Sequence, residues 1–193
     1  NRKLRQALSI AFDIEEYITI FDDNRSVANM GPVVSGLFGA SESFGPNPVV
    51  YDVVAGKPRR KSIDEARRLL AEAGYPGGRD AVTGRPLVLY YDTTGVGPGV
   101  KAKLDWVAKQ VARLDVQLEV RATDYNRFQD KMRNGNAQIF MWGWNADYPD
   151  PENFLFLLYG PNSKVEHNGE NAANYANPDF DRLFERMKTM SDG

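Results

Sequence analysis

The chain contains no cysteine and only one histidine. The first absence excludes disulfides, thiol nucleophiles and cysteine-ligated zinc. It leaves the redox compartment open, because a cysteine-free domain suits either environment. The second leaves His167 without a partner imidazole or a serine-centred motif nearby, so a triad or zinc site lacks support and a surface histidine is the plain reading. A surplus of one charge is missing too: 24 Lys and Arg stand against 26 Asp and Glu, a formal net charge of -2. That balance carries no electrostatic footprint of a nucleic-acid binder, and no cationic amphipathic stretch marks a membrane surface. Apolar runs stay far short of the roughly 20 residues a spanning helix needs. The 193 residues suffice for one domain with a real core.

Periodicity orders much of the chain. Leu4, Ala7, Leu8 and Ala11 form one helical stripe between Lys3 and Phe12. Asp13 with Glu16 reads as a capping box for a second helix through Phe21, and Ser62 with Glu65 as another, whose helix stops at Gly74, Tyr75 and Pro76. Residues 22–61 hold no period and are rich in Gly, Pro, Ser and Asn, which predicts one long irregular segment. Leu87 to Tyr91 reads as a strand. Val100 to Leu114 follows as an amphipathic helix, with Trp106 packing beside its apolar stripe. The intervening Gly95, Gly97, Pro98 and Gly99 match neither phosphate-loop nor dinucleotide spacing and read as an ordinary strand-to-helix turn. Val116, Leu118, Val120 and Ala122 alternate strictly, a strand with one wetter face; Thr123 or Asp124 then caps a helix to about Arg133. Strand and helix alternating in this way predict parallel pairing with right-handed crossovers. The fold class is therefore α/β, a mixed, largely parallel sheet flanked by helices. A last helix starts at Asn177 and Pro178, with Phe180, Leu183, Phe184 and Met187 inward.

The most informative stretch runs from Gln138 to Leu158, QIFMWGWNADYPDPENFLFLL. Ile139 to Trp144 reads as a strand, and Asp150 as the cap of a helix begun by Pro151 and running from Asn153 to Tyr159. Asp147 is then left on the loop at a strand's carboxyl end, where ligands of open α/β sheets lie. Asp147, Asp150 and Glu152 crowd three carboxylates into a short span. The two prolines among them do not suit a calcium loop, and spacing on one turn cannot establish a glycosidase pair. Asp150 serves as a cap and Glu152 suits the helix dipole. Asp147 alone has no local structural task, so it is either a solvated loop carboxylate or a partner for a ligand's ammonium group. Trp142 and Trp144 share a strand face; core packing and a ligand wall both remain open for them. Tyr148, Asn171 and Asn174 are weaker candidates for a cleft rim.

The run Trp144, Asn145, Ala146, Asp147 between a strand and a proline-started helix resembles the extracellular solute-binding proteins of peptide-type ABC importers, family 5. RQALSIAFDIEEYI near the start, SIDEARRLLAEAGYPGG at 62–78 and NYANPDFDRLFERM at 174–187 are similar to further hallmarks of that family, in the same order. The resemblance implies that residues 1–193 form a single C-terminal lobe, excised from a two-lobed clamshell of the type II periplasmic binding kind. It implies that Asp147 holds a peptide's free α-amino group, that Trp144 walls a side-chain pocket, and that main-chain groups at Gly143 and Asn145 bond the peptide as an added strand. Trp142 and Tyr148 flank that site, and residues 31–39 lie near the cleft. The resemblance further implies a monomeric, non-enzymatic receptor without metal or cofactor, periplasmic or tethered outside the membrane, that hands its ligand to an ABC permease. Two rivals are a related receptor with non-peptide cargo, such as an oligosaccharide or a nickel chelate, and a hydrolase using Asp147.

Overall fold

The computed structural model describes residues 1–38, 40, 45–95 and 97–190. Three helices come first, α1 (Arg2–Ala11), α2 (Ile14–Phe21) and α3 (Ile63–Glu72), with a hairpin of β1 (Tyr51–Val54) and β2 (Lys57–Arg60) before the third. Then follow β3 (Val88–Thr93), α4 (Pro98–Ala112), β4 (Gln117–Ala122), α5 (Tyr125–Arg133) and β5 (Ile139–Phe140). The chain closes with α6 (Glu152–Leu155), a 3-10 turn at Phe156–Leu158, α7 (Lys164–His167) and α8 (Pro178–Lys188).

Caps set several of these boundaries. The side chains of Asp13, Ser62, Asp124 and Asn177 accept backbone N–H groups of the turns they open. The capping boxes expected around Glu16 and Glu65 close only halfway. Glu16 turns instead to α4, accepting from Trp106 Nε1 at 2.7 Å and Gln110 Nε2 at 2.8 Å, while Glu65 pairs with Arg68. A charged acceptor that can reach donors on another helix satisfies them better than one backbone N–H, and Glu16 thereby fastens α2 to α4. Trp106 is buried, as its place beside the stripe predicts.

The segment 22–61 is not wholly irregular, because its last part folds into the β1–β2 hairpin. Ala55 and Gly56 both take positive φ, 51° and 75°, which a tight hairpin turn between twisted strands requires. The pairing left no alternation to read, since Asp52, Val53 and Val54 are all exposed. Arg60 ties the hairpin to the first two helices, donating to the Ile10 carbonyl and the Glu15 carboxylate, each at 2.9 Å.

The main sheet has the order β4-β3-β5 and both pairings are parallel. Its central strand carries Leu89 and Tyr91 into the core. Ala7, Ile10 and Ala11 of α1, Ala66 and Leu70 of α3, Val111 of α4, and Leu114 and Val116 complete the larger apolar cluster. The strand expected to reach Trp144 stops at Phe140. Phe140 lies opposite Asp92, one residue before β3 ends at Thr93, so the rest of the run has no neighbouring backbone to pair with. The helix expected over Asn153 to Tyr159 is likewise shorter, α6 tightening at once into the 3-10 turn before Gly160 and Pro161 stop it. In α8, Phe184 is buried as expected, but Leu183 lies on the outer face.

Candidate functional site

Past Phe140 the chain leaves the ladder at the carboxyl end of β3, and the side chains of Trp142 and Trp144 take their positions from helical residues. Trp142 packs edge-on against Phe128 of α5, with centroids 5.5 Å apart. The Lys164 ammonium lies 5.3 Å from the centre of the Trp142 ring. Trp144 packs edge-on against Phe156 at 5.2 Å, and its Nε1 donates to Asn153 Oδ1 at 3.2 Å. The same oxygen accepts the Asp147 N–H at 2.9 Å. Asn153 is 2% exposed, so one buried amide fixes both the indole and the start of the acidic loop. Sequence reasoning passed over it. The available signal was a lone amide heading the apolar run Phe154 to Leu158, a pattern that asks for a buried partner.

Gly143 sits exposed between the two half-buried tryptophans. Its φ lies outside the left-handed region, and a Cβ placed on it would meet nothing within 4 Å. Neither a turn nor packing requires glycine there. Its backbone is bare toward open space.

The three crowded carboxylates divide by role. Asp150 Oδ1 accepts the Glu152 N–H at 2.7 Å, but the helix begins one residue later than expected, so that Pro151 and not Asp150 stands at its N-cap. Glu152 accepts the Tyr148 hydroxyl, and that bond, opposed in part by Asn153 and aided by smaller effects of burial and neighbouring charge, pushes the phenol above its usual range. Asp147 is exposed. Among the described residues its carboxylate enters no ion pair, in contrast to Asp92, which is bound by both Arg121 and Lys131.

A cavity of about 450 Å³ opens beside this run, within the range typical of small-ligand sites. Phe140, Trp142, Gly143 and Trp144 line one side, Tyr125, Gln129 and Arg133 of α5 another, and Lys164 and Glu170 contribute the charged remainder. Trp142, Gly143 and Trp144 thus meet around one space, whereas Asn145, Asp147 and Tyr148 lie beyond it on the exposed loop. Asn171, expected at a rim, is fully buried. Its Nδ2 donates to the Tyr159 and Tyr175 carbonyls at 3.1 and 2.8 Å, so its amide closes a turn. Asn174 is also structural, accepting from Ser163 Oγ and the Val165 N–H at 2.9 and 3.0 Å. His167 is a surface residue beside Glu166.

Comparison with known proteins gives this arrangement its context. The di/tripeptide-binding protein 2 of Pseudomonas aeruginosa (strain UCBPP-PA14) is 26% identical over 192 residues, 98% of this chain and 32% of that protein. The periplasmic binding protein DppA of Helicobacter pylori, solved in complex with the peptide STSA, shares the fold with a TM-score of 0.76 and 21% identity, over 98% of this chain and 33% of that one. A mannohexaose-bound periplasmic oligopeptide-binding protein from Thermotoga maritima superposes with a TM-score of 0.77 at 18% identity, over 98% of this chain and 36% of the other. The chain therefore spans about a third of the length of the relatives it matches. Residues 1–166 match the family described as bacterial extracellular solute-binding proteins, family 5 Middle, and the chain belongs to that family.

Proposed function

We propose that this chain is the C-terminal ligand-binding lobe of an ABC importer's substrate receptor, which traps a short peptide in the cleft between two lobes. The observation that carries the reading is the state of Asp147: an exposed, uncommitted carboxylate on a loop whose backbone is pinned by Asn153. A fixed anion open to solvent suits the α-ammonium of a peptide, and a charge-assisted bond there is stronger than a neutral one. Gly143 and Asn145 present main chain to an extended ligand, which gives affinity without sequence choice. Trp144 forms a side-chain wall, with Trp142 beside it on the same cavity and Tyr148 on the exposed loop. The receptor acts outside the cytoplasmic membrane as a monomer, needs no cofactor, performs no covalent chemistry, and delivers its closed complex to a membrane permease.

A second cargo has support from one observation, the two half-exposed indoles around a single cavity. Such faces also stack on a sugar. One titration separates the readings: tryptophan fluorescence of the native chain that carries this segment, with free peptides, N-acetylated peptides, oligosaccharides and metal chelates. Free peptides are expected to bind, and Asp147→Ala or acetylation to weaken them about 10–100-fold, the worth of one hydrogen bond to a charged group. Binding indifferent to both changes rejects the peptide assignment, saturation by sugar alone favours the second cargo, and ligand turnover would point to a hydrolase.

A further inference from the structure

Lys164 stands out among the lysines. Its side chain is 8% exposed, yet its carboxylate partner, Glu170, is 45% exposed and 3.2 Å away. The other hydrogen-bonded lysine–carboxylate pairs among the described residues are tighter, 2.7 Å for Lys3–Glu72 and 2.6 Å for both Lys101–Asp105 and Lys131–Asp92. A good charge-assisted N–H···O bond falls near the shorter values. An ammonium offers three donors and accepts nothing. Among the described residues Glu170 is the one hydrogen-bond acceptor that Lys164 Nζ reaches, and the Trp142 face supplies the remaining attraction. The least hydrated of these cations is therefore the least well matched. It lies in the wall of the cavity beside Trp142 and Trp144, while Arg133, half-exposed, stands on the α5 side.

We infer that this cavity is a specificity pocket for a carboxylate-bearing side chain of the ligand, with Lys164 as its selective cation and Glu170 as a stand-in for the missing anion. Glu170 is already half in water, so its release to solvent costs little desolvation, and a ligand carboxylate entering between the indoles takes the ammonium at closer range. The aromatic walls accommodate the stem of such a side chain, and a cationic side chain meets the Lys164 ammonium, whereas Arg133 is already paired with Asp130 at 2.6 Å. Chemistry of this kind gives a receptor a preference that backbone pairing alone does not supply. The inference rests on the peptide reading above and specifies which peptides are favoured.

The test is a calorimetric titration of the native chain that carries this segment, using tripeptides, each in C-terminally amidated and free-acid form, with Glu, Gln, Leu or Lys placed in turn at each position. At one position Glu is expected to bind about tenfold more tightly than Gln and to exceed Lys by more, the scale of one charge-assisted bond. Lys164→Met should bring Glu and Gln to within about twofold, and Glu170→Gln should widen the gap, because the internal competitor is gone. Should Lys164→Met fail to fold, Glu170→Gln decides alone. Equal binding of Glu and Gln at every position, a preference untouched by Lys164→Met, or no widening in Glu170→Gln overturns the pocket. A gain that requires a free C-terminal carboxylate overturns the side-chain assignment. Failure of all free-amine peptides to bind, or equal binding of acetylated ones, is a failure of the peptide reading itself; free-amine binding without a Glu preference removes the pocket alone.

Discussion

At Gly143 a methyl group would project into empty space, whereas at Gly78 it would lie 2.0 Å from the Asp115 carbonyl oxygen, on a backbone with φ of +69°. The two glycines should therefore answer substitution in opposite ways. Gly143→Ala is expected to change folding stability by no more than about 0.5 kcal/mol, the usual range of a surface substitution, while weakening ligand binding through the lost approach to the main chain. Gly78→Ala should destabilise without that selectivity; urea unfolding and a fluorescence titration on both variants measure the contrast. Single residues also mark the reach of sequence reasoning. Asp147 and Gly143 were legible as candidates because a charge or a glycine with no local duty is visible in one dimension. Asn153 was not, since its duty is a shared bond to Trp144 and Asp147 that exists only after the loop folds back. Asn171 misled for the same reason: an amide in a polar stretch reads as surface, yet its partners Tyr159 and Tyr175 enclose it.

Among the elements, the join of β3, β4 and α5 depends on Asp92. Its carboxylate is 0% exposed and takes Arg121 of β4 at 2.7 Å and Lys131 of α5 at 2.6 Å. Asp92→Asn leaves two cations facing a neutral amide. The expected loss is about 3 kcal/mol, the low end for breaking a buried pair because both cations are partly wetted. Denaturant midpoints of the variant and the parent protein check it, and an unchanged midpoint refutes the role. The sequence predicts a strand that ends at Tyr91, one residue short of Asp92, and shows nothing of the cations that reach it from distant positions. Cap residues were easier, because Asp124 and Asn177 act within three residues of themselves. The hairpin was missed because neither of its strands buries a face and Pro58 stands inside one of them, which a strand of a two-stranded ribbon tolerates at its free edge.

In the molecule as a whole, the two apolar clusters are bridged by Phe12, Leu118 and Ile139, which pack against both. Tyr91 lies in the second cluster, next to Trp106 and Val107. Burial, with a smaller contribution from Tyr17, pushes its phenol up from the ordinary value of 10.0. A raised folded-state pKa contributes stability that is intact below pH 10.0 and is lost as the pH climbs through the folded value. Tyr91→Phe should therefore flatten the alkaline decline; urea unfolding at mildly and strongly alkaline pH measures it, and an identical decline in both proteins excludes the effect. The shared oxygen of Asn153 has a further consequence at this scale. It works as a rivet through two plates, so the indole and the acidic loop cannot be retuned one at a time. Any inherited change that shifts Asn153 moves the Trp144 indole and the start of the acidic loop together, so under the function proposed above cargo bulk and head-group spacing would change in the same step.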